Sequence, residues 1–289
     1  MTLPPITAEQ VFHIGSFPIT NTYVNSSLTV IFFVIIAYLI KRNVRMVPKG
    51  IQNFFEALME LMLGYVDQVT GDRKKSLRFL PIVGGLFLFI LASNWMGVLP
   101  GVGSIGFWHF VNGQKEFVPL LRSANSDLNM TLSMAVFGVI ASHVIGVGTI
   151  GFFRYLGKFI KIGDIARAFK TMNLTKIFTA FVEFGVGLIE IISELAKFIS
   201  LSLRLFGNVF AGEVLLTVLA GLVAVFVPLP FIGLELLVGF IQSLVFAMLV
   251  LVYIATAIMP APEHGHEELH EGKHPKHQTQ RLNGESEAA

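Results

Sequence analysis

Hydrophobic positions along the chain gather into five long runs separated by short polar or basic segments. That spacing predicts membrane-spanning helices rather than a soluble core. The runs cover about 22–40, 79–99, 128–153, 177–227 and 230–258. The second closes with Asn94-Trp95-Met-Gly-Val-Leu-Pro100, which places Trp95 at the membrane–water interface. The fourth run contains no proline. Its roughly fifty residues would reach about 75 Å as one helix, against about 30 Å of hydrocarbon. It must tilt strongly, bend or break. Pro228 and Pro230 turn the chain directly into the fifth run, which favours one long, strongly tilted helix folded back as a hairpin over about 177–259.

Between the first two runs the period changes. Over about 48–66, Phe54, Phe55, Leu58, Met62 and Tyr65 share one face, with Glu56, Glu60 and Asp67 off it, as in a helix lying on a membrane surface. The fold class is therefore an all-α polytopic membrane protein: about five membrane helices plus one amphipathic surface helix, in a single membrane domain over 22–259. Composition agrees, with 54% hydrophobic residues, 14% charged and 27 each of Phe and Gly. Mean hydropathy is +0.70. A net charge of +2 lends no support to nucleic-acid binding. The absence of cysteine excludes disulfides, thiolate metal sites and cysteine catalysis together. No internal repeat is visible, which counts against an inverted-repeat transporter.

Charge orients the spans. Segment 41–78 holds eight Lys or Arg and 154–176 holds six, whereas 100–127 has only Lys115 and Arg122. The two basic loops are expected to face the cytoplasm and the N-terminal segment, 1–21, the other side. Residues 1–17 lack the basic and apolar regions of a cleaved signal peptide, so insertion is expected to rely on the spans themselves. The polar tail 260–289, with His264, His266, His270, His274 and His277, is expected to be a solvated, disordered cytoplasmic extension. Length and tail point to a bacterial plasma membrane.

One residue resists the apolar pattern. Arg204 stands inside the fourth run, where an arginine costs roughly 2.5–3.5 kcal/mol on insertion scales and cannot shed its charge. Glu190, Ser193, Lys197, Ser200, Arg204 and Asn208 follow at steps of 3 or 4, a polar stripe along one helix face and the mark of an ion path. No acid stands at 200, 201, 207 or 208, so a counter-charge for Arg204 must come from another helix or another polypeptide. Glu213, nine residues on, points to the opposite face. Glu235 and Gln242 share a face of the fifth run, with Gly239 between them. A carboxylate that alternates between ionised beside Arg204 and neutral against lipid would account for the arrangement. Other readings stay open: Glu194 and Lys197 as an ordinary ion pair, His143 as a helix–helix hydrogen bond, Gln242 as glue between two helices.

Ser200-Leu-Ser-Leu-Arg-Leu-Phe-Gly-Asn-Val209, followed by Ala-Gly-Glu213, closely resembles the signature of subunit a of F-type ATP synthases. Pro48-Lys-Gly-Ile-Gln-Asn-Phe-Phe-Glu56, Asn94-Trp-Met-Gly-Val-Leu-Pro100 and Ser126-Asp127-Leu-Asn-Met-Thr-Leu132 resemble further parts of that family, and Gln242 falls at the matching place on the last helix. The resemblance implies the stator half of a proton-driven rotary motor. Arg204 would face the essential carboxylates of the c-ring, and Asn208, Glu213, Glu235 and Gln242 would line two aqueous half-channels. Glu190 would occupy a polar position earlier on the same helix, while Ser200, Glu194, Lys197, His143 and Asp127 are secondary candidates. Position 235 is histidine in some relatives and glutamate here. Implied partners are the c-ring, the b-type peripheral stalk, the rest of the synthase, the lipid bilayer and protons, with sodium the lesser option. No metal or cofactor is implied, and the chain lacks a Gly-x-x-x-x-Gly-Lys phosphate loop. The rival is a secondary ion-coupled transporter in which Arg204 anchors an anion; a purely structural subunit is the other.

Overall fold

The computed structural model describes residues 5–99, 101–102, 105–111, 114–159, 174–222 and 227–259. The His-rich tail and much of the second basic loop lie outside the described residues.

Short polar side chains set the starts of three membrane helices by accepting backbone N–H groups that the first turn leaves free. Thr20 accepts from Tyr23 to open α1 (Asn21–Arg42). Asp72 accepts from Lys74 to open α3 (Arg73–Val98), and Asp127 accepts from Asn129 to open α4 (Leu128–Ile150). Between them α2 (Ile51–Thr70) is bracketed by Gly50 and Gly71, at φ 61° and 63°, a left-handed setting that glycine adopts without strain. The short α5 (Phe152–Phe159) follows α4. Then come α6 (Leu174–Leu222), 49 residues without interruption, and α7 (Pro228–Ala257). Five of these helices, α1, α3, α4, α6 and α7, are long and apolar enough to cross a membrane. The five runs thus become five helices, and the fourth does not break.

Two antiparallel hairpins add strand that the hydrophobic pattern did not announce. Gln10–Ile14 (β1) pairs with Phe17–Thr20 (β2), and Gly106–Val111 (β3) with Gln114–Pro119 (β4). The first lies in the N-terminal segment and the second between α3 and α4, and both leave the all-α membrane domain unchanged.

The core sits where α3, α4 and α7 meet the middle of α6. Val83, Phe87, Ile90, Leu201, Leu205, Phe246, Val250, Leu251 and Ile254 are buried there in one cluster. Small residues bring backbones close, as membrane helix contacts require. A Cβ on Gly97 would stand 2.8 Å from the Ser123 Cα, and one on Gly138 2.7 Å from a Val250 methyl. The outer surface is inside-out by soluble standards. On α1 the buried residues are polar (Asn21, Thr22, Asn25, Ser26, Thr29), while Val30, Ile31, Phe32, Val34 and Ile35 are exposed. Such a helix is stable only with lipid or another chain against its apolar flank.

The surface helix falls at 51–70, and within the chain only part of its apolar face is buried. Gln52, Met62, Leu63 and Val66 are buried, and Met59 reaches Gly84 of α3. Phe54 is 53% exposed and touches only the edge of Phe55 within its own helix. Packing against α3 and α7 selects the 52–59–63–66 side, so Phe54 is left out of the contact face.

Candidate functional site

Helix α6 presents two unlike faces. Leu201, Leu205, Val209 and Gly212 are buried against the core, at intervals of 3 or 4. Opposite them Ile192, Leu195, Ile199, Ser200, Leu203, Arg204 and Gly207 are exposed, in a continuous apolar strip with one guanidinium in it. Arg204 has no hydrogen bond and no ion pair among the described residues. A permanent cation on an apolar surface needs an anion, and none of the described residues offers one. The polar stripe foreseen from the sequence follows the border of this face. Ser193, Ser200, Arg204 and Asn208 are exposed, whereas Glu190 and Lys197 are half-buried where α6 turns toward its neighbours.

Toward the C-terminal end of α6, polar groups from five segments converge. The Asn208 side-chain amide donates to Gln242 Oε1 at 2.6 Å, tying α6 to α7. Gln242 is 5% exposed and its Nε2 finds no protein acceptor. One turn on, Gly212 lies beneath Glu235: a Cβ there would stand 2.2 Å from the carboxylate. Glu235 is half-buried and without a hydrogen bond or ion pair among the described residues. Glu213 faces the other way and is held by Arg122, whose Nε donates to Oε1 at 2.8 Å and Oε2 at 3.1 Å. Arg122 is 4% exposed, gives Nη2–H to the Pro5 carbonyl at 2.9 Å and leaves Nη1 unpaired.

Amides and hydroxyls continue this region away from α6. Asn125 donates to Asn94 Oδ1 at 2.7 Å, and Asn94 donates to the Gly239 carbonyl at 3.3 Å. Asn25 donates to the Arg122 carbonyl at 2.8 Å. The Thr22 hydroxyl donates to Asp127 Oδ2 at 3.2 Å while Asp127 Oδ1 caps α4. Asp127 therefore braces two helix starts here and does not touch Glu213 or Glu235. Trp95 Nε1–H donates to the Leu236 carbonyl at 3.0 Å, so the expected interface tryptophan also pins α3 to α7.

Glu235 is flexible, so an added methyl beneath it displaces the carboxylate rather than separating the helices. Gly212→Ala should leave the subunit present in membranes at near-normal amount, as immunoblotting would check, because only the far end of the Glu235 side chain has to move.

A second polar cluster lies toward the N-terminal half of α6. Lys197 Nζ donates to Glu194 Oε1 at 2.5 Å and stands 4.9 Å over the Tyr253 ring of α7. Glu194 Oε2 is 3.5 Å from His143 Nε2 of α4. His143 Nδ1 is 2.5 Å from the Tyr155 hydroxyl of α5. Burial, then the negative charges of Glu194 and Glu190, push the Tyr155 phenol up to about 12, so it acts as a neutral hydrogen-bonding group. Glu194 and Lys197 are thus an ion pair, as one reading of the sequence allowed, but one shared with a histidine from another helix. Among the described residues no group of three or more His, Cys, Asp or Glu could hold a metal ion.

Arg204 lies between the two clusters along α6, seven residues past Lys197 and four before Asn208. A family profile described as "ATP synthase A chain" matches residues 23–255. The chain belongs to the ATP synthase A chain family. The ATP synthase subunit a of Moorella thermoacetica is 30% identical over 257 residues, covering 89% of this chain and 97% of that protein. That of Campylobacter concisus is 31% identical over 239 residues, covering 83% and 89%. A protein called ATP synthase subunit a 2 in a Bradyrhizobium species is 28% identical over 258 residues, covering 89% and 97%. As a member of the ATP synthase A chain family, this chain is a membrane-embedded ion-transport subunit that works in a complex with other ATP synthase subunits.

Of the residues singled out from the family's sequence pattern, Asn208 with Gln242 and Gly212 with Glu235 meet across the α6–α7 hairpin. Glu213 does not join Glu235 but pairs with Arg122, which sequence reasoning counted only as one of two basic residues in a loop. Nothing in the local pattern distinguishes Arg122; its burial comes from segments distant in sequence.

Proposed function

We propose that this chain is the stator through which protons pass in the membrane sector of an F-type ATP synthase, and that it performs no nucleotide chemistry. Its exposed α6 face docks a ring of c subunits, and Arg204 meets each ring carboxylate in turn. Protons reach the ring by one polar cluster and leave by the other. The first runs from Asn94, Asn125 and Arg122 through Glu213, Glu235, Gln242 and Asn208; the second includes Glu190 and Ser200 with the Glu194–Lys197 pair. Arg204 keeps a passing carboxylate ionised, because a cation a few ångströms away favours the charged form. The same fixed charge repels a proton moving directly between the clusters. Ring rotation then carries the neutral carboxyl through lipid, and net flow drives ATP synthesis.

The observation that carries this reading is Arg204: a charge that cannot be neutralised, on an exposed apolar face, with no anion paired to it among the described residues. The remaining exposed apolar surface, including the flank of α1, suits lipid and b-type stalk subunits. The excess of Lys and Arg in 41–78 and 154–176 supports a reading in which the N-terminal segment lies outside and the tail in the cytoplasm of a bacterial inner membrane. An unbroken α6 favours a stator over a secondary transporter, whose ion sites form at interrupted helices.

Reconstitution separates the two. Purified chain alone in lipid vesicles should neither accumulate substrates nor conduct protons above an empty-vesicle baseline. Returning it to membranes that lack only this subunit should restore ATP-driven acidification. Transport by the isolated chain would instead support the transporter reading.

A further inference from the structure

The His143–Tyr155–Glu194–Lys197 cluster is more elaborate than packing needs. An ion pair between Glu194 and Lys197 on one helix would be complete without a histidine. Yet His143 comes from α4 and is fixed on both sides: Nδ1 lies 2.5 Å from the Tyr155 hydroxyl and Nε2 3.5 Å from Glu194 Oε2. Tyr155 and Phe159 also stack edge-on against its ring, at 5.9 and 6.3 Å between centroids. Its side chain keeps 29% of its surface open. It sits on the last two turns of α4, on the side where the chain carries Arg154 and the second basic loop. Charged and titratable groups face it from every neighbouring helix. These are Tyr155 on α5, Glu194 and Lys197 on α6 with Glu190 close to Tyr155, and Tyr253 on α7, which is also within Coulombic reach of Arg204.

We propose that His143 is the proton-exchanging group at the basic-side end of the ion path, held in its working tautomer by Tyr155 and loaded by Glu194. This deepens the stator reading and rests on it. With Nδ1–H donated to the Tyr155 oxygen, the neutral ring presents its Nε2 lone pair to Glu194. A proton released from the ring carboxylates onto Glu194 gives a carboxylic acid and leaves the Lys197 ammonium without its anion. Transfer of that proton to Nε2 restores the carboxylate and forms an imidazolium directly facing it. Water at the open edge of the ring then takes the proton from Nε2 and returns the neutral imidazole. One proton enters and one leaves, and no bond other than O–H and N–H changes. Histidine suits the task because one ring nitrogen can take up and release a proton while the other keeps its hydrogen bond.

The test is ATP-driven acidification of inverted membrane vesicles carrying the whole synthase, in which the basic side faces the medium. The rate is measured against medium pH and divided by the uncoupled hydrolysis rate at each pH. The unaltered complex should show an inflexion in that ratio as the medium pH is varied. His143→Gln should remove that inflexion and slow pumping several-fold, and Glu194→Gln should do the same. Tyr155→Phe should keep most of the rate but move the inflexion, because the tautomer is no longer fixed. An unchanged rate and inflexion in His143→Gln overturns the proposal. Should that variant fail to assemble, an unmoved inflexion in Tyr155→Phe overturns it instead. The stator reading fails separately, if Arg204→Lys still pumps. Loss in Arg204→Lys together with an intact His143→Gln profile sinks only the inference about His143.

Discussion

Arg204→Lys should abolish ATP-driven acidification of inverted vesicles while the complex remains assembled. The substitution keeps a positive charge, so an effect cannot be put down to charge alone. What changes is the group: a planar guanidinium with five donors, always ionised, becomes a compact ammonium whose pKa moves when it is desolvated. Removing one preorganised charge-stabilising donor from a buried site typically costs about 10²–10³ in rate. A loss of that order is expected here if, as proposed, each ring carboxylate is stripped of its proton beside Arg204. Arg204→Ala should go further and raise passive proton conductance, since the electrostatic barrier between the two clusters is gone. Valinomycin-induced proton uptake measures that leak directly. Normal subunit levels in both variants are expected, because Arg204 has no hydrogen bond or ion pair to lose among the described residues.

The second large effect concerns Arg122 and Glu213. Arg122 is 4% exposed and its Nε is shared between both Glu213 oxygens at 2.8 and 3.1 Å. Breaking a buried pair from one side leaves a charge unpaired, at about 3–5 kcal/mol in fully buried cases. Arg122→Met leaves Glu213 with residual solvent contact, so the loss should fall below that range, with weakened membrane levels of the subunit and strongly reduced transport. Glu213→Gln strands the guanidinium, which is the more deeply buried partner. The double variant Arg122→Met/Glu213→Gln should recover assembly relative to either single change, because no unpaired charge remains. Transport should stay low in the double variant, since the titratable group is gone. Assembly and transport therefore separate in one cycle of variants. Recovery of transport along with assembly would mean that Glu213 only supports structure.

Much of this was legible in the amino-acid sequence, for identifiable reasons. Long apolar runs can be satisfied only as helices, so five spans and their approximate ends follow from hydropathy. Arg204 stands out because a charge inside such a run is expensive and local neighbours either pair with it or do not. The Asn208–Gln242 contact follows the hairpin that Pro228 and Pro230 impose. What stayed hidden depends on contacts between distant segments. Arg122 reaches Glu213 across 91 residues, and Asn25 reaches the Arg122 carbonyl across 97. Loop arginines and amides at helix ends carry no period that would mark them. Glu194 showed its own helix partner, Lys197, but not His143 and Tyr155, which arrive from α4 and α5. The apolar face of α2 was legible, but amphipathicity gives a broad arc, and only packing against α3 and α7 selects the part of it that is buried within the chain. The hairpins were invisible because strands of four to six residues are too short for alternation to register.

The central claim is that the face of α6 bearing Arg204 is the surface on which the rotor turns. The native chain has no cysteine, which gives a clean background for single-cysteine cross-linking to the c subunit. Leu203→Cys and Gly207→Cys place thiols on that face; a Cβ at Gly207 meets no atom within 4 Å. Paired with single cysteines flanking the ring carboxylate, both should form disulfides under mild oxidation. Val34→Cys on α1, where the native side chain is 62% exposed, should form none with the same ring positions. Cross-links from α1 and none from α6 would contradict the account, and Arg204 would then face something other than the rotor.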